Sequence, residues 1–184
     1  MIATPAALPR NAQRGLTLVD LLCALAVVAV LLRGAIPAMQ DMLLRQVLMS
    51  TAGTVETDVQ YARSMAMTAD MPVRLSIQTN PDGGSCTVVH TGDAHACRCD
   101  GRQHYHCTGP ATLLRLSEQP FKRGASIVGK ERSLVFSPSH GTVTPTATLV
   151  LTDTNGRSLR KIVNVMGRMR TCSEDGFPGI PNCA

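Results

Sequence analysis

The stretch from Leu16 to Ile36, LTLVDLLCALAVVAVLLRGAI, most limits what this chain can become. Its 21 residues rise roughly 31 Å as a helix, enough to cross the hydrocarbon core of a bilayer. Two charges interrupt it. Asp20 lies four residues into the run, where an unpaired carboxylate is expensive, so a cationic partner is expected. Arg33 stands near the far end, from where its long stem can reach the headgroups. Before the run, Met1 to Gly15 carries Arg10 and Arg14 and no acid. Basic-then-apolar also describes a secretory signal, but no small-residue A-x-A site ends this run.

Pro37 follows and is expected to kink or loosen the helix, because it removes one backbone hydrogen bond. Beyond it, Leu44, Leu48, Ala52, Val55, Val59, Ala62 and Ala66 recur every three or four residues and trace one helical face. A helix from Thr17 to about Thr68 would be about 78 Å long, with an apolar second-half stripe that needs a sheet to cover it.

After Met71 the period changes from helical to alternating. PVRLSIQT (Pro72–Thr79), the turn-rich NPDGGS and then CTVVHT read as a hairpin. ATLVLTD and RSLRKIVNV flank the Asn155-Gly156 pair and read as a second hairpin, with SLVFSPSHG supplying a further strand and turn. These elements predict an antiparallel sheet laid on the helix, an α+β fold. If the closing strand runs on without a bulge, Arg160, Ile162, Asn164, Met166, Arg168 and Arg170 share one face.

Seven cysteines occur: Cys23 alone in the apolar run, and Cys86, Cys97, Cys99, Cys107, Cys172 and Cys183 in the polar remainder. Six in one head point to disulfides and an oxidising compartment. Cys172 and Cys183 bracket SEDGFPGIPN, an easily closed loop. Cys86, His90, His95, Cys97, Cys99, His104, His106 and Cys107 form a denser group. Such side chains can bind zinc or copper, but the spacing matches no paired CxxC pattern. Cys97-x-Cys99 cannot bridge itself, so two crossed or nested disulfides are expected, with Cys86 and Cys107 each joined to one of the middle pair and no metal.

Composition narrows function. Tryptophan is absent and aromatic residues make up 3%, which leaves little material for a base-stacking platform. Any nucleic-acid contact therefore runs through backbone charge. From Arg115 to Arg170 ten basic residues face three acids, Glu118, Glu131 and Asp153. No nucleophile pairs with a base at a recognisable motif, so no enzyme and no cofactor is expected. His140, beside Gly141, reads as a surface histidine in a turn.

RGLTLVDLL, Arg14 to Leu22, resembles the class III cleavage site of type IV prepilins. The resemblance implies a cytoplasmic leader over 1–15, cleavage between Gly15 and Leu16, and N-methylation of Leu16, all by a dedicated prepilin peptidase. It makes 16–36 the transmembrane and assembly helix, 37–70 its amphipathic continuation and 71–184 a periplasmic β-rich head. That head would carry a Cys/His-rich insertion at 86–107 and a basic strand and tail at 158–184. Asp20, fifth after the cut, takes the place of the family's acidic residue, which neutralises the N-terminal amine of a neighbouring subunit. Asp stands where Glu is usual, and Leu where Phe is commonest.

A closer likeness lies in ARSMAMTADMPVRLSI (Ala62–Ile77), SLVFSPSHGTVTPTATLVLTD (Ser133–Asp153) and GRMR (Gly167–Arg170). Together they resemble the FimT/GspH family of minor pilins and type II secretion pseudopilins. That implies a type IV pilin-like fold, a single-pass inner-membrane protein and other pilin or pseudopilin subunits as partners. In the FimT branch a carboxy-terminal GRxR motif binds DNA during natural transformation, and Gly167, Arg168 and Arg170 match it. Arg160, Lys161 and Arg157 are candidate auxiliary contacts. The alternative implied by the same family is a purely structural pseudopilin of the type II secretion system.

Overall fold

The computed structural model describes residues 17–80, 83–101, 104–120, 124–128 and 132–183. Gly15 and Leu16 lie outside the described residues. A long helix, α1, runs from Leu18 to Thr68. Leucine, alanine and methionine, which become helical at little cost, are frequent in it, alongside β-branched valines whose helical state rests on their surroundings. Pro37 lies inside α1 rather than ending it. The helix continues through Pro37 although proline forgoes one intrahelical bond there. The chain divides between Gln40 and Asp41 into two units.

The first unit contains the apolar part of α1, which is long and apolar enough to cross a membrane and has no residue buried inside the chain. Leu18, Val19, Leu25, Val30 and Leu31 are all more than half exposed. Apolar surface of that extent requires lipid or neighbouring subunits to cover it. Cys23, within it, is a free thiol.

The second unit is built from strands packed on the rest of α1. They are β1 (Val73–Thr79), β2 (Ser85–His90), β3 (Cys97–Gly101), β4 (His104–Cys107), β5 (Leu113–Gln119), β6 (Ala125–Val128), β7 (Arg132–Phe136), β8 (Val143–Thr144), β9 (Ala147–Asp153), β10 (Ser158–Val163) and β11 (Met169–Cys172). They form a five-stranded sheet in the order β5-β2-β1-β7-β8, a four-stranded sheet β11-β10-β9-β6, and the ribbon β3-β4. Every pairing between these strands is antiparallel. Two sheets therefore stand where one was expected. The backbone N–H of Ile127 on β6 donates to Ser85 Oγ on β2 at 2.9 Å, which joins them.

Leu48, Ala52, Val55, Val59, Ala62 and Ala66 of the predicted stripe are buried against Leu75, Leu134, Phe136, Leu151 and Leu159. Leu44, the first member of the stripe, is only half-buried. Burying the leucine, valine and phenylalanine side chains contributes roughly 1.5–3 kcal/mol each, and the alanines less, which is why a helix and two sheets hold together. One acid shares the helical face. Asp58 is fully buried and accepts from Thr87 Oγ1 on β2 and, at 3.0 Å, from Ser117 Oγ on β5.

The closing strand does not run on to Arg170. The chain reverses between Asn164 and Arg168, and β11 returns beside β10 with Ile162 opposite Arg170 and Arg160 opposite Cys172. Asn164 N–H donates to the Arg168 carbonyl at 3.1 Å, and Gly167 N–H donates to the Asn164 carbonyl at 2.9 Å. Asn164 Oδ1 also accepts from the amides of Met166 and Arg168. Gly167 has φ of 70°, so the loop turns back through a left-handed glycine.

Candidate functional site

At its start α1 is capped from within. Thr17 N–H and Oγ1 donate to Asp20 Oδ2 at 3.0 and 2.7 Å, and Asp20 N–H donates to Thr17 Oγ1 at 3.3 Å. This reciprocal arrangement satisfies donors that the first turn leaves free. The cationic partner expected for Asp20 is not among these contacts.

The Cys/His group resolves into disulfides. Cys86 joins Cys99, and Cys97 joins Cys107. The two bonds interleave along the chain: the first ties β2 to the ribbon, and the second clasps the directly opposed residues of β3 and β4. Four thiols are thus spent on structure. His90 is fully buried, with Nε2 2.9 Å from Ser76 Oγ and Nδ1 2.9 Å from the Thr91 carbonyl. Burial pushes its pKa below the ordinary 6.5, aided by the nearby Arg74 charge and opposed by the Thr91 contact. His95, His104 and His106 are exposed. Among the described residues, no three His, Cys, Asp or Glu side chains converge as a metal site.

At the basic end Arg157, Arg160, Lys161, Arg168 and Arg170 part company. Lys161 points inward with Leu159 and Val163, is 3% exposed, and places Nζ 2.7 Å from Glu56 Oε2 on α1. This corrects its assignment as an auxiliary DNA contact: a cation spent on the helix is not free for a ligand. Arg157 lies 2.7 Å from Asp153 Oδ2 and 2.6 Å from Asp41 Oδ1. Arg160 does face outward, but its guanidinium is 2.8 Å from Glu174 Oε2.

Glu174 belongs to a tail that folds back on the sheet. Cys172 joins Cys183, Ser173 N–H donates to the Pro181 carbonyl at 3.0 Å, and Asp175 Oδ2 accepts from Ser158 N and Oγ, each at 2.9 Å. Arg168 and Arg170 are exposed and, among the described residues, have no carboxylate partner. The expectation that they share a face with residues 160–164 of one continuous strand is replaced by a hairpin. Arg168 closes the loop, and Arg170 sits on β11 beside Ile162.

The sequence gives no warning of another cation here. Arg63 leaves α1 one residue after the buried Ala62 and passes between two glycine turns. A Cβ on Gly141 would lie 2.8 Å from Arg63 Nε, and one on Gly167 would lie 3.2 Å from Arg63 Cδ. Arg63 Nε is buried without a hydrogen-bond partner.

A family model described as "Type II transport protein GspH" matches residues 51–167, more than half of the chain. The match ends on Gly167, so Arg168, Arg170 and the disulfide-closed tail lie beyond it. No curated protein and no solved structure matches the chain significantly.

Proposed function

The chain belongs to the GspH family, and from that premise we propose that it is a minor pilin subunit that binds the phosphate backbone of DNA. In this reading a prepilin peptidase cuts after Gly15 and methylates Leu16. The subunit then rests in the bacterial inner membrane by one pass of its apolar helix, with its head in the periplasm, until it is extracted into a fibre with other pilins. Asp20 supports the assembly step. Both contacts from Thr17 fall on Oδ2, which leaves Oδ1 to receive the N-terminal amine of a neighbour. The carboxylate thereby caps its own helix and pairs with the next subunit.

One observation carries the DNA contact: of the five basic residues from Arg157 to Arg170, only Arg168 and Arg170 lack an acidic partner among the described residues. Two unpaired guanidiniums on the same hairpin form a natural receptor for phosphate oxygens. With few aromatic residues to stack on bases, binding is sequence-tolerant and salt-sensitive. Uptake of DNA in natural transformation is the process this would serve. The test is fluorescence anisotropy of a labelled duplex with the full chain in detergent micelles. Changing Arg168 and Arg170 to glutamine together should weaken binding roughly tenfold and lower the salt slope by about 1.8. Equal binding by both proteins would remove the site.

A structural role in type II secretion is the second reading, favoured by the description of the matching family and by a match that stops before Arg168. It predicts that the double variant supports secretion as well as the parent chain, and that the parent chain has no affinity for duplex DNA.

A further inference from the structure

We infer that Arg63 is a third phosphate-binding cation of the hairpin site, an inference that rests on the reading of Arg168 and Arg170 as DNA contacts. Arg63 is remote from them in sequence and comes from the helix rather than the sheet. Its side chain reaches the hairpin through a slot whose walls are Gly141, in the turn after β7, and Gly167, in the turn before β11. The two turns are coupled, since Val143 N–H donates to the Val165 carbonyl at 2.8 Å. Both glycines are themselves buried and lie in the left-handed region, at φ of 60° and 70°. A side chain at either would press on Arg63: the added carbon would come within 3.1 Å of Cγ from Gly141 and 3.2 Å of Cδ from Gly167. Met67, one helical turn on, closes the same slot with its sulfur.

What the slot delivers is charge without a counter-charge. Arg63 Nε is buried with no partner, and no carboxylate among the described residues pairs with this guanidinium. By contrast Lys161, which also bridges the sheet and α1, meets Glu56. Arg63 instead passes Gly167, the residue directly before Arg168. Three guanidiniums on three separate elements, α1, the loop and β11, then stand without an anionic partner among the described residues. A polyanion with closely spaced monovalent charges, the phosphodiester backbone, is the ligand that matches such a set. Because Arg63 is anchored on the helix, it fixes where the strand of phosphates lies relative to α1.

The experiment uses the parent chain in detergent micelles and the arginine reagent phenylglyoxal, with and without a duplex of about 30 base pairs, long enough to occupy the site. Labelling at each arginine is read by peptide mass spectrometry. Duplex should protect Arg63 together with Arg168 and Arg170, while Arg132, at the opposite end of β7, keeps its rate. In anisotropy, Arg63→Gln should lower the salt slope by about 0.9 and the affinity roughly fivefold, and Arg63→Lys should restore the slope. Protection of Arg168 and Arg170 without Arg63 would overturn this inference and leave the hairpin reading standing. Protection of none of the three would overturn both. Labelling needs no variant to fold, so it decides even if Arg63→Gln does not.

Discussion

Arg115 Nε lies 2.8 Å from Asp58 Oδ1, and the two ends of this pair live in different media. The Asp58 side chain is fully buried, whereas that of Arg115 is 39% exposed and rests over the Tyr61 ring at 5.5 Å. Burial raises the Asp58 pKa above its ordinary 3.8, against the lowering effects of Thr87, Ser117 and Arg115. Between 3.8 and the raised value the folded chain holds a proton that the unfolded chain has released, so this group's contribution falls as pH rises through that window. Removing Arg115 strands a buried carboxylate, while removing the charge of Asp58 leaves a cation that water can reach. Arg115→Gln should therefore cost about 2 kcal/mol at neutral pH, discounted for the exposed guanidinium, and Asp58→Asn less than about 1 kcal/mol. Urea midpoints from about pH 4 to about pH 8 check this, since the Arg115→Gln deficit should shrink on the acid side as Asp58 takes up its proton. Equal deficits for the two variants at all pH values would show that the asymmetry is wrong.

The Cys172–Cys183 bond closes a loop with a sequence separation of 11 residues. Loop-closure entropy gives such a bond about 3 kcal/mol. Replacing both cysteines with serine should lower the thermal midpoint by several degrees and expose the 173–183 segment to protease. β11 should persist, because its partner β10 is held independently by β9. Limited proteolysis with mass mapping would distinguish a released tail from a melted sheet.

Glu174 and Glu56 each neutralise one basic residue of β10, yet their removal should have unlike effects on DNA binding. Arg160 and Arg170 are diagonal neighbours on the outward face, so Glu174→Gln would add a free guanidinium beside the site. Affinity should rise roughly twofold to threefold, with a steeper salt slope. Glu56→Gln should leave binding unchanged, because Lys161 stays buried beneath the sheet, and should lower stability instead. Anisotropy of the two variants side by side is the measurement, and a gain from Glu56→Gln would contradict the placement of the site.

How much of this could be read from the chain depends on whether the cause was local. The stripe from Leu48 to Ala66 and the turn at Asn155-Gly156 were legible because helical spacing and a left-handed glycine act within a few residues. The reversal at Asn164 was not, because Val165 and Met166 continue the apolar alternation across the loop and disguise it as strand. Asn164 and Gly167 at its ends were the available signal. The fate of Lys161 depended on Glu56, 105 residues earlier, and that of Arg160 on a tail ordered by a disulfide. Arg63 sits just off a core stripe, and only the two glycines packed against it give it a direction.

Val165 and Met166 expose half their surface at the tip of the hairpin, while the backbone of that loop is fastened to Asn164. The frame that sets Arg168 is thus separate from the two side chains beside it. Substitution at 165 and 166 can alter which surface the hairpin prefers without shifting the arginine, so selection can retune the contact in single steps.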